Sequence, residues 1–168
     1  MDYFSKEEAD VIGEISNISI GSSATAMNMM LGQPITITTP DVSLVHKTEI
    51  LNDYEKSCVL IRVQYTQGLY GNNILILKDE DAKIITDLMM GNDGTGTYST
   101  GEITDLHISA VAEAMNQMMG SAATSLSTLL QTVIDISPPE SSLFDLTEVK
   151  DGKEISPFLG GTFVKIAF

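Results

Sequence analysis

Residues 14–25 and 113–124 repeat one pattern at a spacing of 99 residues. Each copy reads Glu-x-x-Asn, followed after three residues by Gly-Ser-x-Ala-Thr, and six of the twelve positions are identical. The same spacing matches Pro40 to Pro139, each separated from its asparagine by 22 residues. A duplication held in register over this length predicts two copies of one local structure, related by a pseudo-two-fold axis.

The pattern around each copy predicts a long helix followed by β-structure. A capping-box sequence at Ser5 begins the first helix, which Gly32 and Pro34 end. We predict an α+β fold in which two long motif helices pack against a largely antiparallel sheet. The predicted elements are helix 5–31, strands 35–47, 58–66 and 73–77 as an antiparallel meander, helix 79–90 with Asp79 as its N-cap, helix 103–130, strand 133–136, and a hairpin of strands 143–149 and 161–168 with its turn near 150–153.

Residues 1–168 are short enough to form a single domain. The duplication predicts a first repeat at about 5–91, a linker at about 92–101 and a second repeat at about 102–168. The glycine-rich stretch 91–97 has the composition of a phosphate loop, but no Lys-Ser/Thr follows it, so the linker interpretation is favoured. Strand 73–77 and helix 79–90 lack counterparts before residue 168. Either the second repeat is shorter by nature or the chain is a fragment of a longer protein, and we favour a fragment whose second repeat is incomplete at its C-terminus.

The composition limits the class of partner. A net charge of −14, with no Lys/Arg cluster, argues against binding to nucleic acid or to anionic lipid. The chain has neither an apolar run of about 18 residues nor a signal-peptide pattern, so we predict a cytoplasmic protein without direct membrane insertion. Cys58, the single cysteine, lies in an apolar run and is predicted to be a core residue.

Helical spacing places Glu14 and Asn17 on one face of the first helix, in a stripe with Asp10, Gly21 and Asn28. The stripe nearly lacks side chains at Gly21, so a partner can approach closely there. An alternative use of the small residues is a close crossing of helices, although such packing does not require the asparagine. The small residues concerned are Gly21, Ala24, Gly120 and Ala123.

The second helix carries its apolar residues on the face opposite Glu113 and Asn116. Both Glu/Asn pairs are therefore predicted to face solvent. The predicted core face consists of Val111, Met115, Met118, Ala122, Leu126 and Leu129.

Other catalytic arrangements find little support in the sequence. His46 and His107 have no Cys or His at the spacing of zinc ligands, and the serines have no evident histidine partner or Gly-x-Ser-x-Gly motif. A carboxylate beside a carboxamide can pair with a lysine and can hold a water molecule in line with a phosphorus atom.

The full pattern, Asp/Ser-x-x-x-Glu-x-x-Asn-x22-Pro, begins at Asp10 and again at Ser109. It resembles the CheC/CheX/FliY family of phosphatases, which dephosphorylate the chemotaxis response regulator CheY. The resemblance implies that Asn17 or Asn116 positions the attacking water and that Glu14 or Glu113 pairs with the regulator's active-site lysine. It also implies that the chain needs no cofactor or metal of its own, because the aspartyl phosphate and its Mg²⁺ belong to the regulator. The residues expected to frame the site or contact the partner are Asp10, Gly21, Ser109 and Gly120.

The partners implied by the resemblance are phosphorylated CheY and, through the full-length protein, switch proteins of the FliM, FliG and FliN type. The expected location is the cytoplasmic switch complex of the flagellar basal body. A second hypothesis is a non-catalytic module that uses the same helices to dock onto a response regulator or a switch protein. Two intact Glu/Asn pairs favour catalysis, since docking alone tolerates other polar residues.

Overall fold

The computed structural model describes residues 4–46, 49, 57–145 and 161–168. These residues form an α+β fold in which long helices pack on antiparallel strands. In chain order the elements are α1 (Lys6–Leu31), β1 (Asp41–His46), β2 (Cys58–Gln67), β3 (Asn72–Lys78), α2 (Asp79–Met89), α3 (Asp105–Leu130), β4 (Asp135–Ile136), β5 (Glu140–Phe144) and β6 (Thr162–Ala167).

Helices α1 and α3 are the two motif helices, and each is 26 residues long. Their first residues, and likewise their last, lie 99 positions apart, which is the spacing of the motif. Each begins at a capping box, at Ser5 or Thr104, and each is followed by a residue in the left-handed region, Gly32 or Gln131. The duplicated sequence therefore folds into two helices with matched ends.

The two motif helices pack against each other in opposite directions. Ile15, in the N-terminal half of α1, packs against the buried cluster that contains Leu126, near the end of α3. Leu31, the last residue of α1, packs in the same buried cluster as Val111 in the first half of α3. The N-terminal half of each helix thus lies beside the C-terminal half of the other.

Hydroxyl groups join the two helices near their midpoints. The buried Ser23 donates through Oγ to the carbonyl oxygen of Met118 at 2.8 Å, and Ser121 Oγ donates to the carbonyl oxygen of Ser22 at 3.4 Å. Since Ser22 and Ser121 are 99 residues apart, they are counterparts in the duplication. The pseudo-two-fold axis therefore passes between them.

Strand β2 occupies the centre of a four-stranded sheet. It pairs with β3 along one edge, and with β5 and β4 in succession along the other. β1 pairs with β6 in a separate two-stranded sheet, and every described pairing is antiparallel. Each half of the chain therefore supplies a strand to a pairing with the other half.

One predicted strand pairing is wrong: β1 pairs with β6 and does not continue into β2 as a meander. The predicted hairpin of strands 143–149 and 161–168 falls largely outside the described residues and stays a prediction, and within the described residues β5 pairs with β2. Residues 58–61 of β2 are all buried, so their backbone N–H and C=O groups need hydrogen-bond partners along both edges of the strand. Residues 146–153, which include the predicted turn, lie outside the described part.

Several predicted element boundaries differ from those observed. No strand forms before Asp41, because Pro34 and Pro40 interrupt the ladder and the Ile35 N–H donates to the side chain of Asn28. Asn28 thus fixes the exit from α1, instead of extending the polar stripe as predicted. Helix α2 has Lys78 at its N-cap position, and the predicted cap Asp79 pairs with Lys83 at 2.7 Å. Of the predicted strand 133–136, only residues 135–136 are extended.

Most of the predicted core face of α3 is buried. Val111, Met115, Ala122 and Leu126 are all buried, whereas Met118 is half-buried. Leu129 is 42% exposed, so its assignment to the core is wrong. It lies in the last turn of α3, on the wall of a shallow groove between the two helices.

Cys58 has no exposed surface, which confirms the prediction that it belongs to the core. Burial raises the pKa of its thiol to about 11. Among the described helices, none is both long enough and apolar enough to cross a membrane.

Candidate functional site

The two Glu/Asn pairs project from the outer faces of α1 and α3. Glu14 and Glu113 are exposed, and Asn17 and Asn116 are half-buried, in agreement with the prediction that both pairs face solvent. Within the described residues, Glu113 accepts a hydrogen bond from Gln117 at 2.9 Å, and the other three side chains of the pairs make no hydrogen bond or ion pair. Three of the four motif side chains are thus free to bind another molecule.

The glycine one turn beyond each asparagine leaves the helix surface bare. A Cβ atom added at Gly21 or Gly120 would meet nothing within 4 Å. At Gly13, where α1 does pack closely, the same atom would lie 3.3 Å from Val42 Cγ2. The explanation of Gly21 and Gly120 by helix crossing is therefore wrong, since the space beside them is open.

The pairs do not line the groove between α1 and α3. The groove between α1 and α3 is formed by seven residues, and none of the four motif side chains is among them: Ile18, Ser22, Ser121, Thr124, Ser125, Thr128 and Leu129. A convex helix surface cannot enclose a small substrate. A concave active site on a partner can, however, close over a protruding Glu/Asn pair.

The remaining residues of the repeated motif have distinct places. Asp10 and Ser109 are exposed, one helical turn before the glutamates. Pro40 immediately precedes β1 and Pro139 immediately precedes β5. The 22-residue spacing of the motif therefore runs from each asparagine to the start of a strand, where a proline costs no ladder hydrogen bond.

The glycine-rich stretch binds an anion, but the anion is the protein's own Asp87. This carboxylate has no exposed surface. It accepts hydrogen bonds from the backbone N–H groups of Gly94, Gly96 and Tyr98 at 3.0–3.1 Å and from the Asn92 side chain at 3.1 Å. Because these donors are already engaged, the stretch cannot serve as a phosphate loop.

Two opposing effects act on the pKa of Asp87. Burial raises the pKa, but the hydrogen bonds from Gly96, Asn92, Tyr98 and Gly94 together lower it by a larger amount. The pKa of Asp87 therefore lies below its ordinary value. Asp87 was not among the residues predicted from the sequence. An available signal was a carboxylate in the last turn of a helix, where the helix dipole disfavours it, directly before a glycine-rich loop.

His107 is a structural residue of the helix start. Its Nδ1 accepts from the Thr104 backbone N–H at 3.1 Å, and its Nε2 donates to the Tyr98 carbonyl oxygen at 2.9 Å. In the part of the chain that the structure describes, no group of three or more His, Cys, Asp or Glu side chains converges on a point. The prediction that the chain needs no metal of its own stays a prediction.

Comparisons with known proteins identify the family and the fold. A model of the CheC-like family matches residues 7–44 and 106–143, two segments that are again 99 residues apart. The crystal structure of Thermotoga maritima FliY matches with a TM-score of 0.83 and 40% identity, over 98% of this chain and 85% of that one. The chain belongs to the CheC-like family. Its α+β fold is accordingly that of FliY.

Two relatives of this CheC-like chain come from Bacillus subtilis. The flagellar motor switch phosphatase FliY is 52% identical over 151 residues, which are 89% of this chain and 39% of that protein. The CheY-P phosphatase CheC is 27% identical over 143 residues, which are 82% of this chain and 67% of that protein. The chain thus spans about two fifths of the length of the B. subtilis FliY.

Proposed function

We propose that this chain hydrolyses the aspartyl phosphate of a CheY-type response regulator. The observation that carries the proposal is the doubled Glu/Asn pair, presented on matched helices beside a glycine with open space around it. The names of the two relatives, a flagellar motor switch phosphatase and a CheY-P phosphatase, support the same activity.

In the proposed mechanism a motif helix enters the regulator's active site. The carboxamide of Asn17 or Asn116 holds a water molecule in line with the phosphorus atom, because it can both accept and donate hydrogen bonds. The carboxylate of Glu14 or Glu113 pairs with the regulator's lysine and orients the two proteins. Mg²⁺ bound by the regulator would stabilise the negative charge of the phosphoryl group. This division of roles fits a chain that has a net charge of −14 and no Lys/Arg cluster in its sequence.

The proposed location is the flagellar switch complex, on the cytoplasmic side of the membrane. Asp10, Ser109, Gly21 and Gly120 then lie at the edge of the contact with the regulator. Contacts with switch proteins of the FliM, FliG or FliN type belong to the proposal for the full-length protein, since this chain matches 39% of the B. subtilis FliY.

The test is hydrolysis of phosphorylated CheY by the wild type, Asn17→Ala, Asn116→Ala and the double variant. Loss of a group that positions the reacting water costs on the order of 100-fold in rate. Each single variant is expected to retain the contribution of its intact site, and the double variant to fall by about that factor. Wild-type acceleration by a folded double variant would refute the role of the asparagines.

A docking module is the competing function. It predicts that the chain binds the regulator, and that it does so without changing the rate of dephosphorylation. Binding measured together with hydrolysis therefore separates the two hypotheses.

A further inference from the structure

The two sites differ at the position four residues after the glutamate. Gln117 occupies it in α3, and its Nε2 donates to Glu113 Oε1 at 2.9 Å. Ile18 occupies the matching position in α1, where it is 42% exposed and has no donor to offer Glu14. Residues four apart in a helix are neighbours on one face, so this position acts directly on the glutamate.

The sites also differ in charge one turn before the glutamate. Asp10 precedes Glu14, whereas the uncharged Ser109 precedes Glu113. Asp10 and Glu14 are both exposed, and neither forms a hydrogen bond or ion pair with the other described residues. The first site, built on α1, therefore presents two free carboxylates, and the second site, on α3, presents one carboxylate that is already held.

We infer, resting on the function proposed above, that the two sites hold the regulator's lysine by different means. The first site attracts it through the added charge of Asp10. The second site binds it through Glu113 in an orientation that Gln117 has set, with Oε2 left for the lysine. Gln117 is therefore a positioning residue of the second site, and it saves part of the side-chain entropy that a free glutamate loses on pairing.

The expected effect of Gln117 on binding follows from the strength of hydrogen bonds between side chains four residues apart in a helix. An exposed hydrogen bond between side chains four apart corresponds to a factor of about 1.4–2.3 in binding. Because the ion pair with lysine forms before and during hydrolysis alike, the factor should appear in KM and leave kcat unchanged. A change that merely destabilised α3 would lower the melting temperature and leave KM unaltered.

The experiment uses single-site enzymes made from the whole chain. Asn116→Ala leaves only the first site, and Asn17→Ala leaves only the second. With phosphorylated CheY as substrate, Gln117→Met in the second-site enzyme is expected to raise KM about 1.4- to 2.3-fold. Ile18→Gln in the first-site enzyme is the matched reciprocal change, and it is expected to lower KM by a similar factor.

Salt dependence tests the role of the additional charge. The KM of the first-site enzyme should rise more steeply with NaCl than that of the second-site enzyme, because exposed charges are screened. Asp10→Ser should bring the two salt dependences together by raising KM at low salt about 1.4- to 5-fold. Asp81→Ser, which removes an equally exposed aspartate from α2, should leave the difference in place.

The outcomes separate this inference from the proposed function. Equal salt dependences, together with an unchanged KM in both glutamine exchanges, would overturn the inference while the phosphatase stands. Effects confined to kcat would also overturn it. A wild type that neither binds nor dephosphorylates the regulator would overturn the proposed function, and the inference with it.

Discussion

Replacing Asp87 with asparagine should destabilise the protein although the side chain hardly changes in size. The carboxylate is fully buried and receives four hydrogen bonds, three of them from backbone N–H groups in the segment between α2 and α3. An asparagine has one oxygen acceptor in place of two, and its NH₂ group would face N–H donors that already need acceptors. Part of the segment would therefore lose its partners.

The magnitude follows from the four contacts. Hydrogen bonds to a charged group contribute more than neutral ones, and a buried donor left without an acceptor is costly. For a chain of this length, the loss corresponds to a fall in melting temperature of about 5–10 °C. Gly96 leaves little room for adjustment, because a Cβ atom there would lie 2.7 Å from Asp87 Oδ1.

Thermal unfolding at several pH values tests this reasoning. Since the pKa of Asp87 in the folded protein is lowered, its contribution is present above the unfolded pKa of about 3.9 and is lost as the pH falls through the lower folded value. The difference in melting temperature between the wild type and Asp87→Asn should therefore stay constant from pH 7 to pH 5. A difference that closes in this range would refute the assignment, as would an equal loss in Asp81→Asn, which removes an exposed carboxylate from the same helix.

Two further predictions concern the core. Burial raises the pKa of the Cys58 thiol to about 11 from 9.0. The thiol should therefore react with a thiol reagent at pH 8 at least about 100-fold more slowly in the folded protein than in denaturant. Equal rates in the two conditions would contradict its burial. Leu126→Ala should lower the free energy of unfolding measured in urea by about 2–5 kcal/mol, and Leu129→Ala should lower it by under about 1 kcal/mol. The reason is that the Leu126 side chain is 8% exposed and the Leu129 side chain is 42% exposed. Similar losses for the two variants would show that the exposure of Leu129 is wrong.

The long helices were predictable from sequence because the signals that define them are local. The apolar spacing, the capping box at Ser5 and the turn at Gly32 all lie within or next to α1. The outward orientation of both Glu/Asn pairs followed from the same helical spacing. The Gln117–Glu113 bond was within reach of that reasoning as well, because it joins residues four apart.

Strand partners were not predictable in the same way. β1 and β6 lie more than one hundred residues apart in the sequence, and no local pattern specifies that they pair. The apolar run in β2 predicted its burial, but not which strands would cover its two edges. The hydrogen bonds to Asp87 were not predicted, because a glycine-rich stretch offers backbone N–H donors to any anion. The sequence alone does not show which anion accepts these hydrogen bonds.

Because strands of one half pair with strands of the other, the two halves depend on each other for folding. Among the described residues, β1 pairs with β6 and β5 pairs with β2, so each of the two sheets contains strands from both halves. Cleavage of the backbone within residues 92–101 should therefore leave a particle that stays together and melts in one step. Unfolding of either half should therefore disorder both motif helices, whereas a substitution at one Glu/Asn pair affects that site alone.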